Sequence, residues 1–268
     1  MKFQFYSRLK FAFIMAYCTL GLNHMLAQNM NDYAKEYFIK GNDTLNYRIL
    51  LPINFDEAKL YPLVLFLHGA GERGNDNEKQ LSHGAELFLK YRDSFPAVII
   101  FPQCPQQDYW ANATVDRSTT PITLQFPLDI VPTKSMILVM QLMEDMVSRT
   151  YINKKQVYVG GLSMGGMGTF EILYRKPDMF TAAFAICGAG NPAATEKYAR
   201  TVPIWIFHGA NDDVVDPQQS VSMVGGILKY GGKPNFSLYA KDNHNSWDSA
   251  FGEPKLIPWL FSNSKTQQ

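Results

Sequence analysis

A serine, an aspartate and a histidine stand in that order along the 268-residue chain, each just after a short apolar run: Ser163, Asp212 and His244. A hydroxyl facing an imidazole, itself facing a carboxylate, makes a weak alcohol into a nucleophile at neutral pH. Ser163 lies in Gly161-Leu162-Ser163-Met164-Gly165. The β-prone run 156–160 precedes it, and a helical run over 170–175, stopped by Pro177, follows. Glycines flanking a serine between strand and helix fit a cramped turn that lifts the hydroxyl clear of the sheet and sets helix N-terminal amides beside it. The five-residue motif alone is weak, because a glycine-rich strand–helix turn with a bystander serine looks the same, so its weight rests on the surrounding chain.

That context comes from two further strand ends. The run 203–207 (PIWIF) leads into His208-Gly-Ala-Asn-Asp212-Asp213-Val-Val215, and the run 235–239 (NFSLY) into Ala240-Lys-Asp-Asn-His244-Asn-Ser-Trp247. Asp213 is the close rival of Asp212 as the carboxylate. Asp216, before Pro217, reads instead as a helix N-cap with proline at the first helical position. Among the other histidines, His68 and His208 each precede a glycine at a strand end and read as packed, hydrogen-bonded groups. His83 lies in a polar stretch at a helix. No pair has metal-ligand spacing, so neither a metal nor a cofactor is expected.

The elements that must position these residues alternate. Strands are expected over 33–39, 45–51, 62–67, 97–101, 156–160, 182–187, 203–207 and 235–239, and helices over 78–91, 135–151, 170–175, 193–199, 217–230 and 254–261. Lys40-Gly-Asn-Asp-Thr44 between the first two strands is a hairpin signal. Strands alternating with helices predict a mostly parallel sheet of about eight strands, covered by helices on both faces, with an antiparallel N-terminal hairpin. Ligands gather at the carboxyl ends of such strands. The stretch 102–133, with five prolines from Pro102 to Pro132, lacks periodicity and reads as a long functional loop or lid.

A net charge of +1 and 18% charged residues point to a globular chain and away from a nucleic-acid binder. Residues 1–27 carry Lys2, Arg8 and Lys10 before the apolar stretch 11–22, with Ala27-Gln28 as a cleavage point. This predicts a signal peptide, a secreted or periplasmic protein, and one catalytic domain over 28–268 without a membrane span. Cys104 and Cys187 remain in that domain. They follow strands about three positions apart, roughly 14 Å at ~4.8 Å per strand, which favours two buried free thiols over a disulfide.

LFLHGAGERG at 65–74, FPQCP at 101–105, GGLSMGGMGTF at 160–170, FHGANDDVV at 207–215 and HNSW at 244–247 together resemble the α/β-hydrolase superfamily. Within it they are similar to the secreted esterase and phospholipase/carboxylesterase-like group often labelled "predicted peptidase". The order Ser, Asp, His is the superfamily's. The resemblance implies the α/β-hydrolase fold, Ser163 as nucleophile, His244 as base and Asp212 as its partner. It also implies an oxyanion hole from the backbone N–H groups of Ala70 and Met164, and small or carbohydrate-linked acyl esters (acetyl, feruloyl) as substrates. Trp110 and Trp247, with Tyr109, are candidate substrate contacts. Glu72 and Arg73 are expected to hold their loop by an ion pair. Two rivals stand beside the serine esterase. One is a peptidase of prolyl-oligopeptidase-like type, for whose large extra domain the chain has no room. The other is a binding protein that kept the fold and lost the chemistry.

Overall fold

The structure is a computed structural model that describes residues 30–265, so the expected signal peptide lies outside the described residues. An eight-stranded sheet organises it. Strands β1 (Ala34–Lys40), β2 (Asp43–Leu50), β3 (Tyr61–Leu67), β4 (Val98–Pro102), β7 (Ile152–Leu162), β8 (Ala182–Ile186), β9 (Ile204–Gly209) and β10 (Asn235–Tyr239) lie in the order β1-β2-β4-β3-β7-β8-β9-β10. The β1–β2 hairpin and the β2–β4 pair are antiparallel, and the remaining pairs are parallel. This is the sheet expected from the sequence.

The continuous apolar runs follow from burial on both faces. In β3, Leu63, Leu65 and Leu67 point into one core, and Val64 and Phe66 into the other, as the two-residue period of a strand requires. The first core is closed by helices α2 (Lys134–Ser148), α3 (Met164–Arg175) and α4 (Gln218–Lys229). The second is closed by α1 (Ala85–Tyr91), α5 (Trp247–Gly252) and α6 (Leu256–Ser262). Each of the three buried leucines contributes roughly 1.5–3 kcal/mol by leaving water. Helix α2 shows why its sequence signal was the clearest. Thr133 caps it by accepting the Met136 N–H at 3.1 Å, and Met136, Met143 and Met146 fill the core beneath it.

Some expectations need correction. The helix expected over 78–91 is interrupted: a 3₁₀ turn (Lys79–Leu81) precedes α1, and Gly84 between them has φ +86°. A Cβ there would also sit 2.7 Å from the Phe66 ring. The segment 193–199 forms a 3₁₀ helix, Pro192–Lys197, and α5 was not expected at all. The stretch 102–133 carries a small hairpin, β5 (Thr114–Asp116) with β6 (Thr123–Gln125). The Ile122 N–H ties it to the Val214 carbonyl at 3.0 Å. Cys104 and Cys187 are buried and unpaired. Among the described residues no helix is long and apolar enough to cross a membrane.

Candidate active site

Strand β7 ends at Leu162 and α3 begins at Met164, so Ser163 alone makes the turn, with φ +53° and ψ −116°. That region is unfavourable for a residue with a side chain. It is held here by the Ser163 N–H bonding to the Ile186 carbonyl at 2.8 Å, and by Ser163's own carbonyl accepting the Met167 N–H at 3.0 Å. The turn is also tight against its neighbour: a Cβ on Gly165 would lie 1.8 Å from the Leu67 oxygen. Only glycine allows α3 to start that close to β3.

Asp212 sits in the loop after β9 and His244 in the loop after β10. The structure brings both to Ser163. Ser163 Oγ lies 2.9 Å from His244 Nε2, and His244 Nδ1 lies 2.8 and 3.0 Å from the two oxygens of Asp212. An ionised carboxylate only accepts, so Nδ1 carries the ring proton. The lone pair of Nε2 is left facing the serine, whose hydroxyl donates to it. Asp212 also accepts the N–H groups of Val214 and Val215, both at 2.9 Å. Burial would raise its pKa, but hydrogen bonds from His208 and His244 outweigh burial and hold the carboxyl well below the usual carboxylate range. Asp213 is exposed, with its backbone N–H on Asn243 Oδ1, and Asp216 accepts the Gln218 N–H at the start of α4.

The two loops brace each other. Ala210 donates its N–H to the Tyr239 carbonyl at 2.8 Å, and Asn211 to the Asp242 carbonyl at 2.9 Å. Asn243 Oδ1 accepts the N–H of both Asp213 and His244. A Cβ on Gly209 would lie 2.3 Å from the Asn243 oxygen, so this contact too depends on a bare glycine.

Ala70 opens a 3₁₀ turn (Ala70–Glu72) beside the serine and lines the same cleft, while Met164 is the first residue of α3. Among the described residues neither backbone N–H donates to a protein acceptor, which leaves both free for an anion.

A phospholipase/carboxylesterase family model matches residues 52–253, a span that holds Ser163, Asp212 and His244. The chain belongs to the phospholipase/carboxylesterase family. It is 32% identical over 202 residues to the bifunctional acetylxylan esterase/xylanase XynS20E of Neocallimastix patriciarum, a match covering 75% of this chain and 25% of that protein. It is 26% identical over 164 residues to lysophospholipase-like protein 1 of Mus musculus, covering 57% of this chain and 66% of that one. The crystal structure of a thermostable esterase superposes with a TM-score of 0.79 at 30% identity, over 89% of this chain and 64% of that chain. The fold is the expected α/β-hydrolase fold. The chain spans a quarter of the length of XynS20E and slightly under two thirds of the other two.

In this family member the cleft over Ser163 has a volume of about 230 Å³, and Ala70, Tyr109, Ile122, Met167, Val215 and Trp247 are among its walls. Trp247 lies edge-on to the His244 ring, with centroids 5.5 Å apart. Trp110 is a correction. It is fully buried, packs where Gly168 leaves room, and donates its indole N–H to the His68 carbonyl at 3.0 Å. It supports the Ala70 loop from behind and cannot meet a substrate. The expected Glu72–Arg73 ion pair is a second correction. Arg73 donates instead to the carbonyls of Ala70, Gln106 and Asp108, and Glu72 faces His83 at 3.7 Å.

The sequence marks His208 only as a packed histidine. It is fully buried, and its Nε2 faces two acceptors, Asp212 Oδ2 at 3.0 Å and the Val215 carbonyl at 3.1 Å. Nε2 therefore carries a proton, and Asp212 holds two imidazoles. On the other side Nδ1 meets the Ser220 hydroxyl of α4 at 2.6 Å. The sequence signal was the four-residue spacing between His208 and Asp212. Cys187 Sγ also lies within 4.8 Å of ligand atoms of Asp212 and His244, but burial pushes its thiol far up. A neutral thiol is a poor metal ligand, and the two other groups are already bonded to each other.

His68 anchors the other side of the cleft. Its Nδ1–H points to the Gly69 carbonyl at 2.6 Å, and its Nε2 accepts the Cys104 N–H at 3.0 Å. Burial lowers its pKa to about 4. The neutral ring is thus favoured by the fold. The unfolded chain takes up a proton below about pH 6.5 and the folded one only near pH 4, so stability falls as the pH drops through that window. The size is on the order of 2–3 kcal/mol between pH 7.5 and 4.5. Chemical denaturation at the two pH values measures it, and the loss should be smaller in His68→Asn, which has no group to protonate.

Proposed function

We propose that this chain is an exported serine hydrolase that cleaves carboxylic esters, with acyl groups on carbohydrate as its substrates, and that residues 28–268 act as one catalytic domain once the 1–27 signal is removed. The observation that carries the reading is the continuous hydrogen-bonded chain from Ser163 through His244 to Asp212 at the end of a strained strand–helix turn. Acetylxylan as a substrate class is supported by the likeness to XynS20E.

The mechanism follows from the proton positions. Ser163 Oγ attacks the ester carbonyl carbon as its proton passes to His244 Nε2. Asp212 stabilises the imidazolium, and the N–H groups of Ala70 and Met164 face the oxyanion. Each such donor is worth about 3–4 kcal/mol in the transition state. The tetrahedral intermediate collapses, His244 gives its proton to the leaving alcohol, and an acyl-Ser163 ester remains. Water, deprotonated by His244, then attacks that ester, and as the acyl–oxygen bond breaks His244 returns the proton to Ser163 Oγ and the carboxylic acid is released.

A substrate panel tests this reading: p-nitrophenyl acetate and butyrate, methyl ferulate, acetylated xylan and a prolyl p-nitroanilide. Ester turnover that a serine-directed phosphonate abolishes, with acetylated xylan deacetylated, is the expected result. Anilide cleavage without ester preference would point to a peptidase, and an inert panel with no phosphonate labelling to a binding protein.

A further inference from the structure

Beyond Trp247 lies a second cavity, of about 430 Å³, between the start of α1 and helix α5. Trp247 is a wall of both this cavity and the cleft at Ser163. The two are joined again beside it: Glu72 lines the cleft, His83 lines the second cavity, and their side chains meet at 3.7 Å. His83 also packs on Trp247, with ring centroids 5.2 Å apart. None of these residues is used by the mechanism above.

We propose that this cavity is the subsite for the alcohol half of the ester, and that it takes a neutral sugar ring. The inference rests on the serine-esterase reading and locates its leaving group. The direction comes from the proton. His244 Nε2 must reach the leaving oxygen to protonate it, so the alcohol lies on the His244 side of the cleft. Trp247 stands edge-on to that ring and forms the wall there. An alcohol larger than a few atoms runs along Trp247 and enters the second cavity.

The class comes from the lining. Trp247 and Phe251 are half-buried and present apolar ring surface, while His83, Glu86, Lys90 and Asp248 supply donors and acceptors around it. A pyranose has the matching surface: a face of C–H groups with hydroxyls at its edge. A plain alkyl chain would meet the two rings but engage none of these donors and acceptors. Two carboxylates against one ammonium disfavour a phosphate headgroup.

Two variants away from the triad test the assignment. His83→Ala removes a polar group between the cavities. Gly252→Phe fills the second cavity from α5, at a position where an added Cβ meets nothing within 4 Å. Acetylated xylotriose and p-nitrophenyl acetate share an acyl group and differ in alcohol, so the readout is the ratio of their kcat/KM values. Each variant should lower that ratio at least tenfold, mainly by raising KM for the trisaccharide ester. Xylotriose itself should inhibit p-nitrophenyl acetate hydrolysis competitively in the wild type and lose that inhibition in Gly252→Phe. Ratios within twofold of wild type in both variants, or a wild type that cleaves hexyl acetate as well as acetylated xylotriose, would overturn the subsite while leaving the esterase reading intact. A wild type without p-nitrophenyl acetate turnover would overturn the esterase reading and the subsite with it.

Discussion

Ser163→Ala is expected to reduce ester turnover by about a million-fold, to the level of background hydrolysis. The size follows from the roles the side chain combines. In the proposed mechanism its oxygen forms the covalent acyl bond and donates to His244 Nε2 at 2.9 Å, so without it neither the base nor the oxyanion donors would have a reaction to assist. The fold should survive. Alanine removes one oxygen from a residue held by backbone bonds to Ile186 and Met167, and the strained φ of +53° is met no worse by alanine than by serine. Steady-state hydrolysis of p-nitrophenyl acetate, with circular dichroism to verify folding, measures the effect. Activity within tenfold of wild type would remove Ser163 from the mechanism.

Asp212→Asn should cost about four orders of magnitude in kcat with little change in KM, by reversing a tautomer. Oδ1 of Asp212 receives the amides of Val214 and Val215, while Oδ2 faces His208 and is the nearer oxygen to His244 Nδ1, at 2.8 Å against 3.0 Å for Oδ1. An asparagine keeps its oxygen toward the two amides and turns its NH₂ group toward the imidazoles. His244 Nδ1 must then accept, its proton moves to Nε2, and the lone pair that takes the serine proton is gone. His208 Nε2–H meets a donor as well, so this variant should also be less stable, unlike Ser163→Ala. Kinetics and thermal unfolding on the two variants side by side separate the effects. Equal Tm values would contradict the two-imidazole role of Asp212. In the wild type the low pKa of Asp212 keeps the carboxylate charged through the acid range, so the acid limb of the pH profile does not come from its protonation.

The strand ends were legible in sequence because most of the strands are short apolar runs, and the residues just past such runs are the ones a parallel sheet exposes on one edge. Ser163, Asp212 and His244 share that property. What failed to read had its cause elsewhere in the chain. Trp110 lies in an unpatterned loop, and its burial is decided by Gly168 and by the His68 carbonyl, neither of them near in sequence. Arg73 is adjacent to Glu72, yet carbonyls from the same distant loop capture its guanidinium. The helix over 78–91 had the right apolar spacing, but Gly84 adopts a left-handed conformation against Phe66. Periodicity sees neighbours on one element. These outcomes depended on contacts between elements.

Backbone hydrogen bonds brace the Asp212 and His244 loops against each other. Active-site loops are commonly drawn from the low-stability end of a fold, so a loosely held loop loses its geometry on warming before the core unfolds. Here Asp212 and His244 hang from one hydrogen-bonded unit that continues the backbone pairing of β9 and β10. Neither can drift from Ser163 without opening the edge of the central sheet. Thermal inactivation and thermal unfolding are then expected to coincide, and the Ser163–His244–Asp212 chain stands assembled before any substrate binds.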